Sequence, residues 1–214
     1  MTEQKIWETI LQRTGSEIFT AALMGNMKAE SALRGNNLQN SYEKKLGYTD
    51  ETYTNAIDQH RYTGKQFAND KAGYGLCQWT SSGRKNNMYN RWLNRDPACS
   101  IADETFQIDF CVWELQTSHK DIWSKRYEYK TIREATADIL RKYERPADQS
   151  DANVDRRTAY AQAYYDAYAG VPVIVPVNSG LINQIKSIMD QIDCAQGIMD
   201  ECMEKLEYIM EDLV

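Results

Sequence analysis

Two stretches of the chain carry side chains whose types and spacing suit acid–base chemistry. The first is Gly25-Asn26-Met27-Lys28-Ala29-Glu30-Ser31, which closes the mostly apolar segment Ile18-Phe19-Thr20-Ala21-Ala22-Leu23-Met24 with one carboxylate and one hydroxyl. Ile18, Ala22 and Met24-Gly25 fall near one helical face, with Phe19 and Leu23 beside them. Glu30 therefore stands at the end of a helix that should be buried. A carboxylate at the edge of an apolar core keeps its proton longer than one in water, because lost hydration penalises the charged form. A general acid working near neutral pH needs that property. On this stretch alone, a solvated residue at a helix end is the simpler account. The second stretch is Gly73-Tyr74-Gly75-Leu76-Cys77-Gln78-Trp79-Thr80. Its two glycines, two apart, mark a tight backbone where chain or ligand approaches closely.

The elements that must position these stretches read as mainly helical. Residues 3–14 form a first helix with Ile6, Trp7, Ile10 and Leu11 as its apolar stripe, and Gly15 ends it. Ser16 caps the helix that carries Glu30. Residues 36–72 are polar and rich in Asn, Tyr, Lys and Asp; only Thr49-Asp50-Glu51 looks like a helix start, over Tyr53, Ala56 and Ile57. So long a connection is often functional, and it reads as one lobe of a cleft. The glycine-bounded stretch fits a short strand, hairpin or turn. Ser81 or Ser82 then caps a helix to about Arg95, with Met88, Trp92 and Leu93 inward and Pro97 as its stop. Ser100 opens the next helix; residues 104–116 are apolar on more than one face, the mark of a central helix. Thr131-Ile132-Arg133-Glu134 fits a capping box for a helix to Tyr143, stopped by Pro146. A last helix over 153–169 places Ala159, Tyr160, Ala163, Tyr164 and Tyr168 on one side.

Beyond Gly170 the pattern changes. Residues 171–179 form a Pro/Val linker, with Pro172 and Pro176 excluding both helix and central strand. In 180–214, Leu181, Ile185, Ile188, Ile192, Ala195, Met199, Cys202, Leu206, Ile209 and Leu213 alternate spacings of four and three. That is a heptad helix, a coiled coil or, if it breaks at Gly197, a helical hairpin. Ile182, Met189, Met203 and Met210 widen its apolar face beyond a two-stranded seam, so it either self-associates in three or more strands or packs within the chain.

Composition narrows the function classes. The chain has 214 residues, mean hydropathy −0.67 and a formal net charge of −6. Residues 181–214 hold two basic and eight acidic side chains, which leaves residues 1–180 formally neutral. Neither part shows the basic face of a nucleic-acid binder. No apolar run approaches the roughly 20 residues of a membrane span. The five cysteines form no CxxC pair, and His60 and His119 lie far apart, so no metal site and no cofactor is expected. The thiols read as reduced, in a protein made in a cytoplasm. The start, Met1-Thr2-Glu3-Gln4-Lys5-Ile6-Trp7, lacks the pattern of a secretory signal.

At this point the sequence resembles a family. Glu30-Ser31 at a helix end, followed by Gly75-Leu76-Cys77-Gln78 on a glycine-bounded turn, is similar to the lysozyme-like superfamily. The closer resemblance is to the phage tail-type lysozyme domain of tail proteins and endolysins. Met24 to Ser31, Asn37-Leu38-Gln39-Asn40, Gly73 to Thr80 and Arg84 carry it, with Gln107-Ile108-Asp109-Phe110, Glu114-Leu115 and Tyr143-Glu144-Arg145-Pro146 in order after them. It covers about residues 5–170 and implies a lysozyme-like catalytic domain over 1–170. The implied fold is mainly α, an α+β arrangement with a small β-hairpin or sheet lobe.

The implied activity is cleavage of the β-1,4 bond between N-acetylmuramic acid and N-acetylglucosamine in peptidoglycan, by hydrolysis or by lytic transglycosylation. Glu30 would protonate the leaving oxygen of an oxocarbenium-like transition state. Ser31 would help place the acid or the substrate, and Gln78 would hydrogen-bond sugar or nearby backbone. Tyr74 and Trp79 would offer flat faces to sugar rings or pack. A second carboxylate sets the stereochemical route, about 6.5–9.5 Å away for inversion and about 5–5.5 Å for retention. Asp70, just before the Gly73 turn, is the candidate, ahead of Glu43, Asp50 and Asp58. The partner is then a peptidoglycan strand, with no nucleic acid and no membrane, and a homo-oligomer through 181–213. The resemblance suits an endolysin held in the host cytoplasm until a holin releases it, or a lysin of the virion tail. The alternative is a non-catalytic wall-binding or tail-structural module with an assembly helix. Self-association predicts that light scattering gives a lower mass for residues 1–175 than a simple shortening of the full chain allows; one monomeric state for both refutes it.

Overall fold

The computed structural model describes residues 1–95 and 98–171. The linker beyond Val171, the heptad segment with its oligomer, and Pro97 lie outside the described residues. Ten α-helices build the described part. Helix α1 spans Glu3–Thr14; Thr2 caps it by accepting from the Lys5 amide, and Gly15 closes it in the left-handed conformation, φ 67°. Helix α2 spans Glu17–Ser31 with Ser16 as its cap, so Glu30 falls in its last turn. Every residue from Phe19 to Met27 is buried, which makes α2 the axis of the core.

Three short helices follow, α3 at Asn40–Leu46, α4 at Asp50–Asp58 and α5 at Gly64–Asn69. They fill a region expected to be mostly loop. Capping boxes start α4, at Thr49 and Thr52, and α5, at Thr63 and Gln66. Helix α6 spans Ser82–Leu93, α7 spans Glu104–Ser118 with Asp103 rather than Ser100 as its cap, and α8 spans Lys120–Ser124. Helix α9, Ile132–Asp138, starts at the Thr131 capping box and runs on into a π-helical segment, Ile139–Glu144. Helix α10 spans Asp151–Tyr168.

No strand occurs among the described residues. The expected β lobe is reduced to two isolated antiparallel bridges, Leu38 with Tyr74 and Tyr74 with Trp79. Gly75 at φ 76° and Gln78 at φ 45° turn the backbone so sharply that no ladder extends from them.

Helix α10 lies along α2, and Gly25 permits the close approach. A Cβ at Gly25 would stand 2.6 Å from the Arg157 carbonyl oxygen and 2.7 Å from the Ala161 Cβ. The buried face of α10 is Asn153, Val154, Arg157, Ala161 and Tyr164. Ala159, Tyr160 and Ala163, expected to share one side with Tyr164, are exposed while Tyr164 is buried. The approach seats the Arg157 side chain against the end of α2. Gly25→Ala should therefore cost about 1–3 kcal/mol through overpacking, measured as a lower denaturant midpoint at unchanged slope.

Candidate active site

The site is assembled from the end of α2 outward. Arg157 Nη2 donates to Glu30 Oε1 at 2.6 Å, and Nη1 donates to Asn26 Oδ1 at 3.2 Å. The Arg157 side chain is almost wholly buried, at 4% exposure, while the Glu30 side chain keeps 18%. The ion pair is thus closed beneath and open above. Glu30 Oε2 takes no hydrogen bond from the described residues and is left to whatever enters.

The glycine-bounded turn is fastened to the same helix end. Ser31 Oγ donates to the Leu76 carbonyl at 3.0 Å and to the Met27 carbonyl at 3.1 Å. Buried Gln107 of α7 accepts from the Leu76 amide at 2.8 Å and donates to the Gly35 and Ile101 carbonyls at 2.7 and 2.9 Å. A Cβ at Gly73 would lie 2.7 Å from Gln78 Oε1, so that glycine makes room for the glutamine. Gln78 Nε2 donates to the carbonyls of Asn37 and Gly75 at 3.0 and 3.1 Å.

Beneath the turn sits a buried carboxylate. Glu114 of α7 accepts from Trp79 Nε1 at 2.7 Å, from Arg84 Nε and Nη2 at 2.8 Å each, and from the Tyr143 hydroxyl at 2.8 Å. Its side chain is 5% exposed. The next residue after Tyr143 is Glu144, at the end of the π-helical segment; Arg145 then turns left-handed, φ 51°, and its amide donates to the Leu140 carbonyl at 2.8 Å. Glu144 Oε1 is shut off from solvent and has no hydrogen-bond partner. Burial, then the charge of Glu30, pushes the Glu144 carboxyl up from the usual 4.5 to about 8; Arg84, Arg157 and Cys77 act in the opposite direction.

These groups face a cleft of about 890 Å3, lined by Glu30, Gln39, Gln78, Tyr143, Glu144 and ten neighbours that include Cys77 and His119. A second depression of about 460 Å3 adjoins it, lined by Lys28, Ser31, Arg34 and Asn37 among others. Glu30, Gln39 and Gln78 line both, so a groove passes Glu30 on two sides. Burial lowers the pKa of His119, with Arg84 adding to the effect, so the imidazole beside the cleft is neutral. Six non-glycine residues have left-handed backbone among the described residues. Lys71, Gln78 and Arg145 line the cleft and Ala32 and Leu33 directly follow Ser31, so the strain collects at the site.

Of the residues expected at the site, Glu30 and Gln78 line the groove, and Ser31 borders it while fastening the turn. Tyr74 and Trp79 do not face it. Both are fully buried; the Tyr74 hydroxyl lies 2.7 Å from Thr54 Oγ1, and Trp79 is spent on Glu114. Asp70 is not in the cleft either. It is paired with buried Lys85 at 2.5 Å, accepts from the Ala72 amide at 2.9 Å and from the Tyr62 hydroxyl at 3.3 Å, and also from Tyr53. Burial holds the Lys85 ammonium below its usual pKa, and Asp70 opposes that. Asp70 therefore serves as the counter-ion of a core lysine. Asp50 clasps Arg34 and the Leu38 amide, and Asp58 clasps Ser100 and the Ile101 amide. Glu43 lines neither depression.

Arg157, Glu114 and a cleft position for Glu144 were not foreseen from the residue pattern. A charged residue on the Val154, Arg157, Ala161, Tyr164 spacing was the available signal for Arg157. No group of three or more His, Cys, Asp or Glu side chains that could hold a metal occurs among the described residues, and no helix among them is long and apolar enough to cross a membrane.

A helical domain with a helix-end glutamate facing a groove across a Gly-x-x-Gln turn is a lysozyme-type arrangement. The family model for phage tail lysozyme matches residues 1–168, and the chain belongs to that family, whose class is peptidoglycan-degrading. No curated protein matches the chain.

The Glu144 environment gives a stability prediction. Unfolded, Glu144 loses its proton near 4.5; folded, it keeps it to about 8. Between those values the folded state binds more protons, so raising the pH favours unfolding. Glu144→Gln removes this contribution. Denaturant unfolding at pH 5 and pH 8 should show a smaller loss for Glu144→Gln than for the parent, and equal losses would contradict the burial described.

Proposed function

We propose that the chain is a peptidoglycan glycosidase that cleaves the β-1,4 bond between N-acetylmuramic acid and N-acetylglucosamine, acting as the lysin of a phage or prophage. The observation that carries this reading is the groove that continues past Glu30 on both sides. A polymer lying along it presents an internal bond, not an end, to the carboxylate. The amides of Gln39 and Gln78 and the Tyr42 ring suit uncharged N-acetyl sugars. Lys71 and Arg145 suit the carboxylates of peptide stems.

In this reading a sugar oxygen sits against Glu30 Oε2, and Glu30 passes a proton to the leaving oxygen as the bond to C1 breaks. Arg157, on Oε1, fixes the carboxyl and stabilises its charge once the proton is gone. The turn holds Gln78 against the ring being cleaved. General acids contribute about 100- to 10,000-fold. Glu30→Gln should therefore lose that much muropeptide release from purified peptidoglycan, read by mass. Equal release by parent and variant would sink the role of Glu30, and no release by the parent would leave a wall-binding module. A reducing end in the product means hydrolysis and a 1,6-anhydro end means transglycosylation.

A further inference from the structure

We propose that Glu144 is the second carboxylate of the cleavage reaction, working with Glu30 as one acid–base pair. The inference rests on the glycosidase reading above.

Of the other acidic side chains, Glu43 lines neither depression and four are already committed. Asp70 neutralises Lys85, Asp50 and Asp58 hold loop amides, and Glu114 gathers Trp79, Arg84 and Tyr143. Glu144 has no such duty. It lines the same cleft as Glu30, and its Oε1 is cut off from solvent without a donor or acceptor. An orphaned buried oxygen costs stability, and a fold that keeps one at a cleft keeps it for use.

The backbone is bent to put it there. The π-helical segment and the left-handed Arg145 end α9 so that Tyr143 anchors on Glu114 while Glu144 turns to the cleft. Single π turns and left-handed non-glycine residues both concentrate at functional sites.

The charges around the pair divide the roles. Glu144 is faced by Glu30 from α2, Cys77 from the turn, Arg84 from α6 and Arg157 from α10, with Tyr143 and Arg145 as chain neighbours and His119 on the same lining. Burial and the Glu30 charge keep Glu144 protonated up to about 8. Arg157 bonds Glu30 and not Glu144. At neutral pH Glu144 thus holds a proton that the pair can use. The protons balance through a turnover. One leaves the pair for the leaving glycosidic oxygen as the old bond to C1 breaks. One returns to the pair from the incoming hydroxyl, of water or of the sugar itself, as the new bond to C1 forms. The pair ends as it began.

The test is muropeptide release by the full chain between pH 5 and 9, with Glu144→Gln beside the parent. The parent should lose activity above about pH 8, where Glu144 gives up its proton. Glu144→Gln should fall by at least about 100-fold, with no step near pH 8 in what remains, and should still melt cooperatively and sediment with the wall. Activity within threefold of the parent, with the same alkaline fall, would overturn the proposal and leave Glu30 untouched. If Glu144→Gln does not fold, Glu144→Asp decides, because it keeps a carboxyl. A folded Glu144→Asp with measurable release and a displaced alkaline limb supports the proposal, and one with the parental profile overturns it. A parent that releases nothing at any pH overturns the glycosidase reading, and this inference with it.

Discussion

The site depends on one buried carboxylate that never meets the groove. Glu114 holds three donors from three parts of the chain: Trp79 of the turn, Arg84 of α6 and Tyr143 of the π-helical segment. Trp79 is the residue after Gln78, and Tyr143 is the residue before Glu144. One anion therefore sets the positions of the two side chains that face Glu30 across the cleft. Hydrogen bonds to a charged acceptor are worth about 1.5–3 kcal/mol each. The desolvation of Glu114 and Arg84 takes back much of that gain, so the cluster is a device for position more than for stability. Removing the carboxylate is another matter, since Arg84 would be left as an uncompensated, largely buried cation.

A second clamp works from the other side. Gln107, about two turns before Glu114 on the same helix, accepts from the Leu76 amide and donates to the Gly35 and Ile101 carbonyls. Ser31 adds a bond from α2 to the Leu76 carbonyl. Both polar groups of Leu76 are thus taken, one by α7 and one by α2. The turn cannot drift from Glu30 without breaking buried hydrogen bonds, whose groups would find no water in their place. Helix α7 carries the Gln107 and Glu114 clamps and lines neither depression.

The sequence made the outline of this arrangement legible where local chemistry decides structure. Ser16, Thr49 and Thr131 cap helices as their side chains predict, and Gly15 ends α1. Glu30 is at the end of a buried helix because nine successive residues before it pack on all sides. Short helices in 36–72 were harder to see, since α3 and α5 are too brief to show an apolar period; the Thr63-Gly64-Lys65-Gln66 box was the usable sign of α5. The face of α10 was misread because its many Ala and Tyr residues suit either side. Asp70 illustrates a different limit. Proximity in sequence to the turn suggested the cleft, but a lysine fifteen residues later, wholly buried, needed a counter-ion more. Tyr74 and Trp79 likewise look like sugar platforms by type, and only packing shows that the core takes them.

The π-helical segment was illegible for a stronger reason. Nothing in Ile139-Leu140-Arg141-Lys142-Tyr143-Glu144 distinguishes a π turn from an α turn by residue type. What selects it is tertiary. Tyr143 must reach Glu114, and Pro146 forbids an α-helix from continuing beyond, so the last turn widens and Arg145 takes up the change in a left-handed conformation. The same constraint explains why the two glutamates end in unlike surroundings. Glu30 comes off a regular α-helix beside Arg157 and is matched by a cation. Glu144 comes off a distorted end, displaced from its cations, and buries an oxygen with no partner. Two carboxyls that were alike in the sequence are thus set in unlike surroundings, one bonded by a cation and one held by burial to its proton, by how each helix stops.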